Sequence, residues 1–144
     1  MENRPGSYVL LLNCAVNEPV LIGKHKTLDL IPGYYTYCGS AFGSGGIVAR
    51  VQRHLKLKKK KHWHIDYLRD KCTIEEIWVS YFKENLEHLW AQDFLHHKKS
   101  TIPLNKFGST DCKCRTHFFH FTSKPAISWL TYSKKIKRIK INHL

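Results

Sequence analysis

The first clear pattern is a nearly unbroken apolar run at residues 6–13, GSYVLLLN, which predicts a first, buried strand. Asn17, Glu18 and Pro19 signal a turn, and residues 20–23 predict a short second strand. Residues 24–30 are polar and mixed, and Ile31, Pro32 and Gly33 turn the chain again. Residues 34–39 predict a third strand, with Tyr35 and Tyr37 on one face and Tyr34 and Thr36 on the other. Four glycines and two serines follow within residues 39–46, and Ser44 is the candidate N-cap of the next helix. There Ile47, Val48, Val51 and Leu55 form an apolar stripe. Arg50 and His54 project from one flank of it, with Arg53 further round.

Residues 56–61, KLKKKK, read as a charged loop, and HWHIDYLRD at 62–70 as a turn leading into a helix. Residues 73–82 are β-branched and aromatic enough for a strand. A helix is predicted over 83–97, with Leu86, Leu89, Trp90 and Phe94 buried and Glu87 at the edge of that stripe, facing a neighbouring cleft. Residues 101–111 read as a loop, 116–122 as a strand and 127–132 as a last strand. The expected architecture is a single α/β (α+β) domain over 1–133, a small, mostly antiparallel central sheet flanked by helices. A basic, loosely held tail over 134–144 follows it.

Composition sharpens this. Hydrophobic residues at 42% and aromatics at 12% suit a folded core rather than a disordered chain. No apolar run is long enough to cross a membrane, and MENRPGSY lacks the layout of a signal peptide, so a cytoplasmic location is expected. Five cysteines cannot all pair within one chain, and all five are read as reduced thiols. Twenty-four Lys and Arg against 11 Asp and Glu give a formal charge of +13, which favours polyanions and points to nucleic acid as the partner. No basic amphipathic helix with a clean apolar face argues for a membrane surface.

The glycine-rich stretch precedes a helix, as phosphate-cradling loops do, but it is neither a Walker loop nor a dinucleotide fingerprint. Around it, PGYYTYCGSA, ARVQRHL, HWHIDYL, EHLWAQ and FGSTDCKC-x-x-H follow one another in order. With GSY at 6–8 and YCG at 37–39, they resemble the GIY-YIG nuclease family, and within it the DUF123 branch, found in places fused to endonuclease III-type repair glycosylases. That resemblance implies a DNA endonuclease using one divalent metal, Mg²⁺ or Mn²⁺, plausibly on damaged or abasic DNA at the nucleoid. RNA remains an alternative substrate.

Carried over residue by residue, Tyr8 and Tyr37 match the two motif tyrosines, Arg50 the catalytic arginine, His54 the helix residue one turn on, and Glu87 the metal-binding glutamate. Tyr8 is the candidate for activating water, with Tyr37 or His54 as its helper. Twenty-eight residues separate Tyr8 from Tyr37, so an extra strand intervenes, which fits the branch better than the parent family. For the asparagine that many members carry late in the chain, Asn105 is the candidate. Arg53, Lys56, Lys58, Lys59, Lys60, Lys61, His62 and His64 are expected to grip phosphates.

Other chemistries compete. His62, His64 and Asp66 form an H-x-H-x-D that partly resembles the ligands of metallo-β-lactamase-like hydrolases, though Tyr67 stands where a further histidine belongs. Asp66 could instead cap a turn or pair with a cation. Cys112, Cys114 and His117, with His120, could hold zinc, but C-x-C is an uncommon clip and zinc is not the expected cofactor. Asp111 and the thiols could equally form a polar rim to the active site. Abundant lysine leaves a Schiff-base lyase at abasic sites open, as well as a non-catalytic binding module. Scarce acid and the lack of D-x-D or E-x-K argue against a two-metal nuclease.

Overall fold

A computed structural model describes residues 1–141. Its centre is β1 (Gly6–Cys14), buried as the sequence predicts, and on both faces. β1 pairs antiparallel with β4 (Gly33–Ala41) on one side and β5 (Cys72–Ser80) on the other. β6 (Phe118–Phe121) extends the sheet beyond β4, and β7 (Lys137–Lys140) beyond β5. The five-stranded order is β6-β4-β1-β5-β7, antiparallel throughout. The fold is thus α+β, as expected.

Both faces of β1 are covered, which explains why its sequence does not alternate. Tyr8, Leu10 and Leu12 pack with Ile47 and Val51 of helix α1 (Gly46–Leu55) and with the second sheet, a hairpin of β2 (Glu18–Ile22) and β3 (Lys26–Leu30). Val9 and Leu11 pack with Trp90 and Phe94 of helix α2 (Glu87–Leu95). The two helices therefore lie on opposite faces of the sheet.

Several boundaries differ from the sequence-based expectation. Residues 26–30 are a strand rather than a polar connection, because Leu28 and Leu30 alternate with exposed Thr27 and Asp29. Ser44 does not cap α1. Gly45 holds the N-cap in the left-handed region (φ 86°), and the Ile47 amide donates to the Arg4 carbonyl at 2.9 Å. Within the glycine-rich stretch Gly46 is buried against the Arg4 backbone, whereas residues 42–45 are exposed. Residues 62–70 form only a 3-10 turn, His64–Leu68.

The second helix is shorter than predicted. It starts at Glu87, and Leu89 is 40% exposed rather than part of the stripe. Residues 127–132 hold a 3-10 turn at Ile127–Trp129 instead of a strand, with Trp129 stacked on His97 at 3.7 Å between ring centroids. The edge place beside β5 belongs to β7, so residues 137–140 of the predicted loose tail are ordered sheet. Arg138 and Lys124 both reach the buried Glu76 carboxylate there, at 3.2 and 2.7 Å. Residues 142–144 of that tail lie outside the described residues.

The expectation of five reduced thiols is also overturned. Cys14 and Cys72 face each other in the β1–β5 register and form a disulfide, with their Cα atoms 4.5 Å apart. Cys38, Cys112 and Cys114 are free. Among the described residues no helix is long and apolar enough to cross a membrane.

Candidate active site

A cleft of about 240 Å³ opens where β1, β4, α1 and α2 meet, and Tyr8, Tyr37, Arg50 and Glu87 all line it. The register explains the tyrosine–glycine pairing of the motifs. Tyr8 on β1 lies opposite Gly39 on β4, and its ring passes over the place where a Cβ at Gly39 would stand. The tyrosine thereby reaches across the sheet to α1, where its hydroxyl lies 2.7 Å from His54 Nε2. Burial drives the Tyr8 phenol well above its ordinary value, against the opposing pull of Arg50. Burial, reinforced by Lys59, pushes His54 down to about 3. At neutral pH the pair is a neutral phenol facing a neutral imidazole. Tyr37 borders the same imidazole at 6.0 Å between ring centroids, and burial raises its phenol as well.

Arg50 donates to the Ser40 carbonyl at 3.0 Å and lies over the Trp63 indole, 4.5 Å from its centroid. That fixes the guanidinium at the cleft wall and leaves further donors on its fork. Glu87 is the first residue of α2. Its Oε1 accepts from the Ser40 hydroxyl at 2.6 Å, and its Oε2 lies 2.9 Å from His117 Nδ1. Burial works against its charged form, but His117 and Ser40 more than offset this and hold its carboxyl below the ordinary value. Glu87 therefore presents an ionised carboxylate that remains 17% exposed. A hard divalent cation such as Mg²⁺ fits one such oxygen donor, since it keeps most of its waters.

Sequence reasoning missed three supporting residues. Ser40 orients Glu87 and Arg50, and Asn85 donates to Ser40 Oγ at 3.2 Å while its own oxygen takes the Glu87 amide at 2.9 Å. An Asn two residues before a helix start was the available signal. Trp63, between His62 and His64, supports both Arg50 and Arg53. Asn105 only accepts from Arg115 and does not line the cleft.

The basic residues divide. Lys56, Lys58, Lys60 and Lys61 are exposed, and exposed His62 lines the cleft. Lys59 is not available for phosphate. Its ammonium donates to the carbonyls of Arg53 and His54 at 2.8 and 3.0 Å, closing the end of α1, and its side chain is 8% exposed. Arg53 is tied to both Asp66 oxygens, at 3.2 and 3.1 Å, and to the Lys60 carbonyl. His64 lines the cleft but accepts the Gly108 amide at 2.9 Å.

Asp66 is a buried structural residue. It takes the amides of His62 and Trp63 at 2.8 and 2.9 Å besides Arg53. The H-x-H-x-D therefore does not form a metal cluster among the described residues, and the metallo-β-lactamase-like reading is set aside. The other candidate cluster does assemble, with a changed member. Cys112, Cys114 and His117 meet His88 of α2, whereas His120 turns away to the Pro32 carbonyl at 3.0 Å. Asp111 stands exposed on the loop between this cluster and the cleft.

An α+β domain whose central strand carries a buried tyrosine into a cleft where Arg50 and the hydrogen-bonded Glu87 carboxylate meet is the class these observations define. A family model described as "Domain of unknown function DUF123" matches residues 7–139, and the chain belongs to that family. No curated protein and no solved structure matches it.

Proposed function

We propose that the protein is a GIY-YIG-type endonuclease that hydrolyses phosphodiester bonds in DNA, acting at the nucleoid on damaged or abasic sites. The observation that carries this reading is convergence. Tyr8, Tyr37, Arg50 and Glu87, spread over 80 residues, face one cleft, and Tyr8 is backed by His54.

The chemistry follows from the neutral pair. Tyr8 is no standing phenolate, so it works as a relay. Water attacks phosphorus and gives its proton to the Tyr8 oxygen while the Tyr8 proton passes to His54 Nε2. The phosphate's negative charge, reached across the Tyr8 hydroxyl, favours the imidazolium that forms, and His54 afterwards returns its proton to solvent. The bond from phosphorus to the leaving oxygen breaks, and that oxygen takes a proton from solvent. Arg50 donates to the charge that grows on the phosphate oxygens. Glu87 would hold Mg²⁺ or Mn²⁺, which when bound polarises the phosphate and stabilises the leaving oxygen. Lys56, Lys58, Lys60, Lys61 and His62 extend the grip on the backbone.

The test is cleavage of supercoiled plasmid, abasic duplex and matched RNA with Mg²⁺, Mn²⁺ or EDTA, for the wild type and Glu87→Ala. Metal-dependent nicking of DNA that Glu87→Ala abolishes is expected. Nicking that survives both EDTA and Glu87→Ala overturns the one-metal mechanism, and borohydride trapping of the chain on abasic DNA would assign a lyase. Binding without cutting on every substrate would leave a nucleic-acid-binding module.

A further inference from the structure

The four side chains His88, Cys112, Cys114 and His117 take no part in the proposed cutting chemistry, yet their ligand atoms lie within 4.8 Å of one another. His88 Nδ1 is 3.3 Å from Cys114 Sγ, and Cys112 Sγ is 3.6 Å from His117 Nε2. A tetrahedral zinc with bonds of about 2.3 Å to sulfur and about 2.0 Å to nitrogen sets neighbouring S and N ligands about 3.5 Å apart. The two S–N distances match that edge, and the four ligand atoms cluster closely enough to surround one ion. We propose that these residues bind one Zn²⁺ as a structural Cys₂His₂ centre.

Three features favour this over other uses of the thiols. First, two thiolates and two imidazoles form a soft donor set, which selects zinc and rejects Mg²⁺. Second, the C-x-C loop is held in advance. Lys106 donates to the carbonyls of Cys112 and Cys114 at 3.0 and 3.1 Å, the Lys106 amide to the Arg115 carbonyl at 2.6 Å, and the His117 amide to the Phe107 carbonyl at 2.9 Å.

Third, His117 is 1% exposed, and its Nδ1 faces Glu87 Oε2 at 2.9 Å without being aligned for a hydrogen bond. Zinc on Nε2 places the ring proton on Nδ1, and a small ring rotation brings it into line with the carboxylate. Carboxylate, histidine and zinc in series is the arrangement by which metal-bound histidines are oriented. A cysteine nucleophile would use Cys112 and His117 but leave His88 and Cys114 without a role.

The zinc site rests on these side chains alone and holds whether or not the protein cuts DNA. Its consequence reaches the cleft all the same. The ion would join the first turn of α2 to the loop carrying Gly108 and Asp111, and it would hold His117 against Glu87.

The experiment is metal analysis of the full chain purified without chelators, together with cobalt substitution. One zinc per chain is expected, and the cobalt form should show thiolate-to-metal charge transfer and tetrahedral d–d bands. His88→Ala, Cys112→Ser and Cys114→Ser should each lose stoichiometric zinc, whereas Cys38→Ala, a buried cysteine outside the cluster, should keep it. Because a ligand variant could fail to fold, alkylation of Cys112 is also followed in the wild type. Zinc should protect it and a chelator should expose it. Glu87→Gln should weaken zinc binding about 10–100-fold, read by competition with a chromophoric chelator. Sub-stoichiometric zinc after loading with excess zinc chloride, or Cys112 alkylation at one rate with and without zinc, overturns the site. Unchanged zinc affinity in Glu87→Gln overturns the link through His117.

Discussion

The Tyr8 hydroxyl and His54 Nε2 stand 2.7 Å apart, one on the central strand and the other on α1, both almost wholly buried. Neither group is charged at neutral pH, so in the proposed mechanism the pair acts as a relay rather than through a standing phenolate. Tyr8→Phe removes the relay and keeps the ring. Cleavage should fall by about 10²–10⁴-fold at an almost unchanged melting temperature, measured by single-turnover nicking beside calorimetry.

Gly39 is the counterpart of Tyr8 across the ladder. A methyl there meets the Tyr8 ring, so Gly39→Ala should cost about 1–3 kcal/mol in denaturant unfolding and displace the hydroxyl from His54. Gly43→Ala, with open space around it, should leave both stability and cleavage near wild type.

The lysines of residues 56–61 should separate by experiment. Replacing Lys60 or Lys61 by Ala should reduce the salt slope of duplex binding, in fluorescence anisotropy, by up to about 0.9 per lost phosphate contact. Lys59→Ala should instead lower stability by about 1–3 kcal/mol, because it removes a buried ammonium that donates to the Arg53 and His54 carbonyls and pairs with buried Asp66 at 3.6 Å.

His54 makes stability depend on pH. Its folded pKa of about 3 lies below the ordinary value of about 6.5, so the unfolded chain takes up the proton first as pH falls. The contribution of the neutral imidazole is complete above about pH 6.5 and is lost as pH drops toward 3, at up to about 1.4 kcal/mol per pH unit. Urea unfolding at pH 7.5 and 5 should show this fall in the wild type and a shallower one in His54→Gln.

What could be read from the chain and what could not has physical reasons. β1 was legible because a strand covered on both faces is continuously apolar. Tyr37, Arg50 and His54 were legible because their phrase is compact. β7 was missed because an edge strand carries lysines against aggregation, and KRIK offers only Ile139 to the core. Lys59 looks like its neighbours in sequence, and only the end of α1 singles it out. His88 lies 24 residues before Cys112, so no spacing rule joins it to the C-x-C. Cys14 and Cys72, 58 apart, are brought together by register alone.

That bridge makes residues 14–72 a covalent ring. Tyr37, Arg50 and His54 lie inside it, as do the lysines of 56–61, while Tyr8 and Glu87 reach in from the two arms outside. A lysine-specific protease cutting once in the exposed loop should therefore yield a nicked chain that runs as one molecule until it is reduced, and as two fragments afterwards. The cleft would then be carried by two peptides tied at the far end of β1.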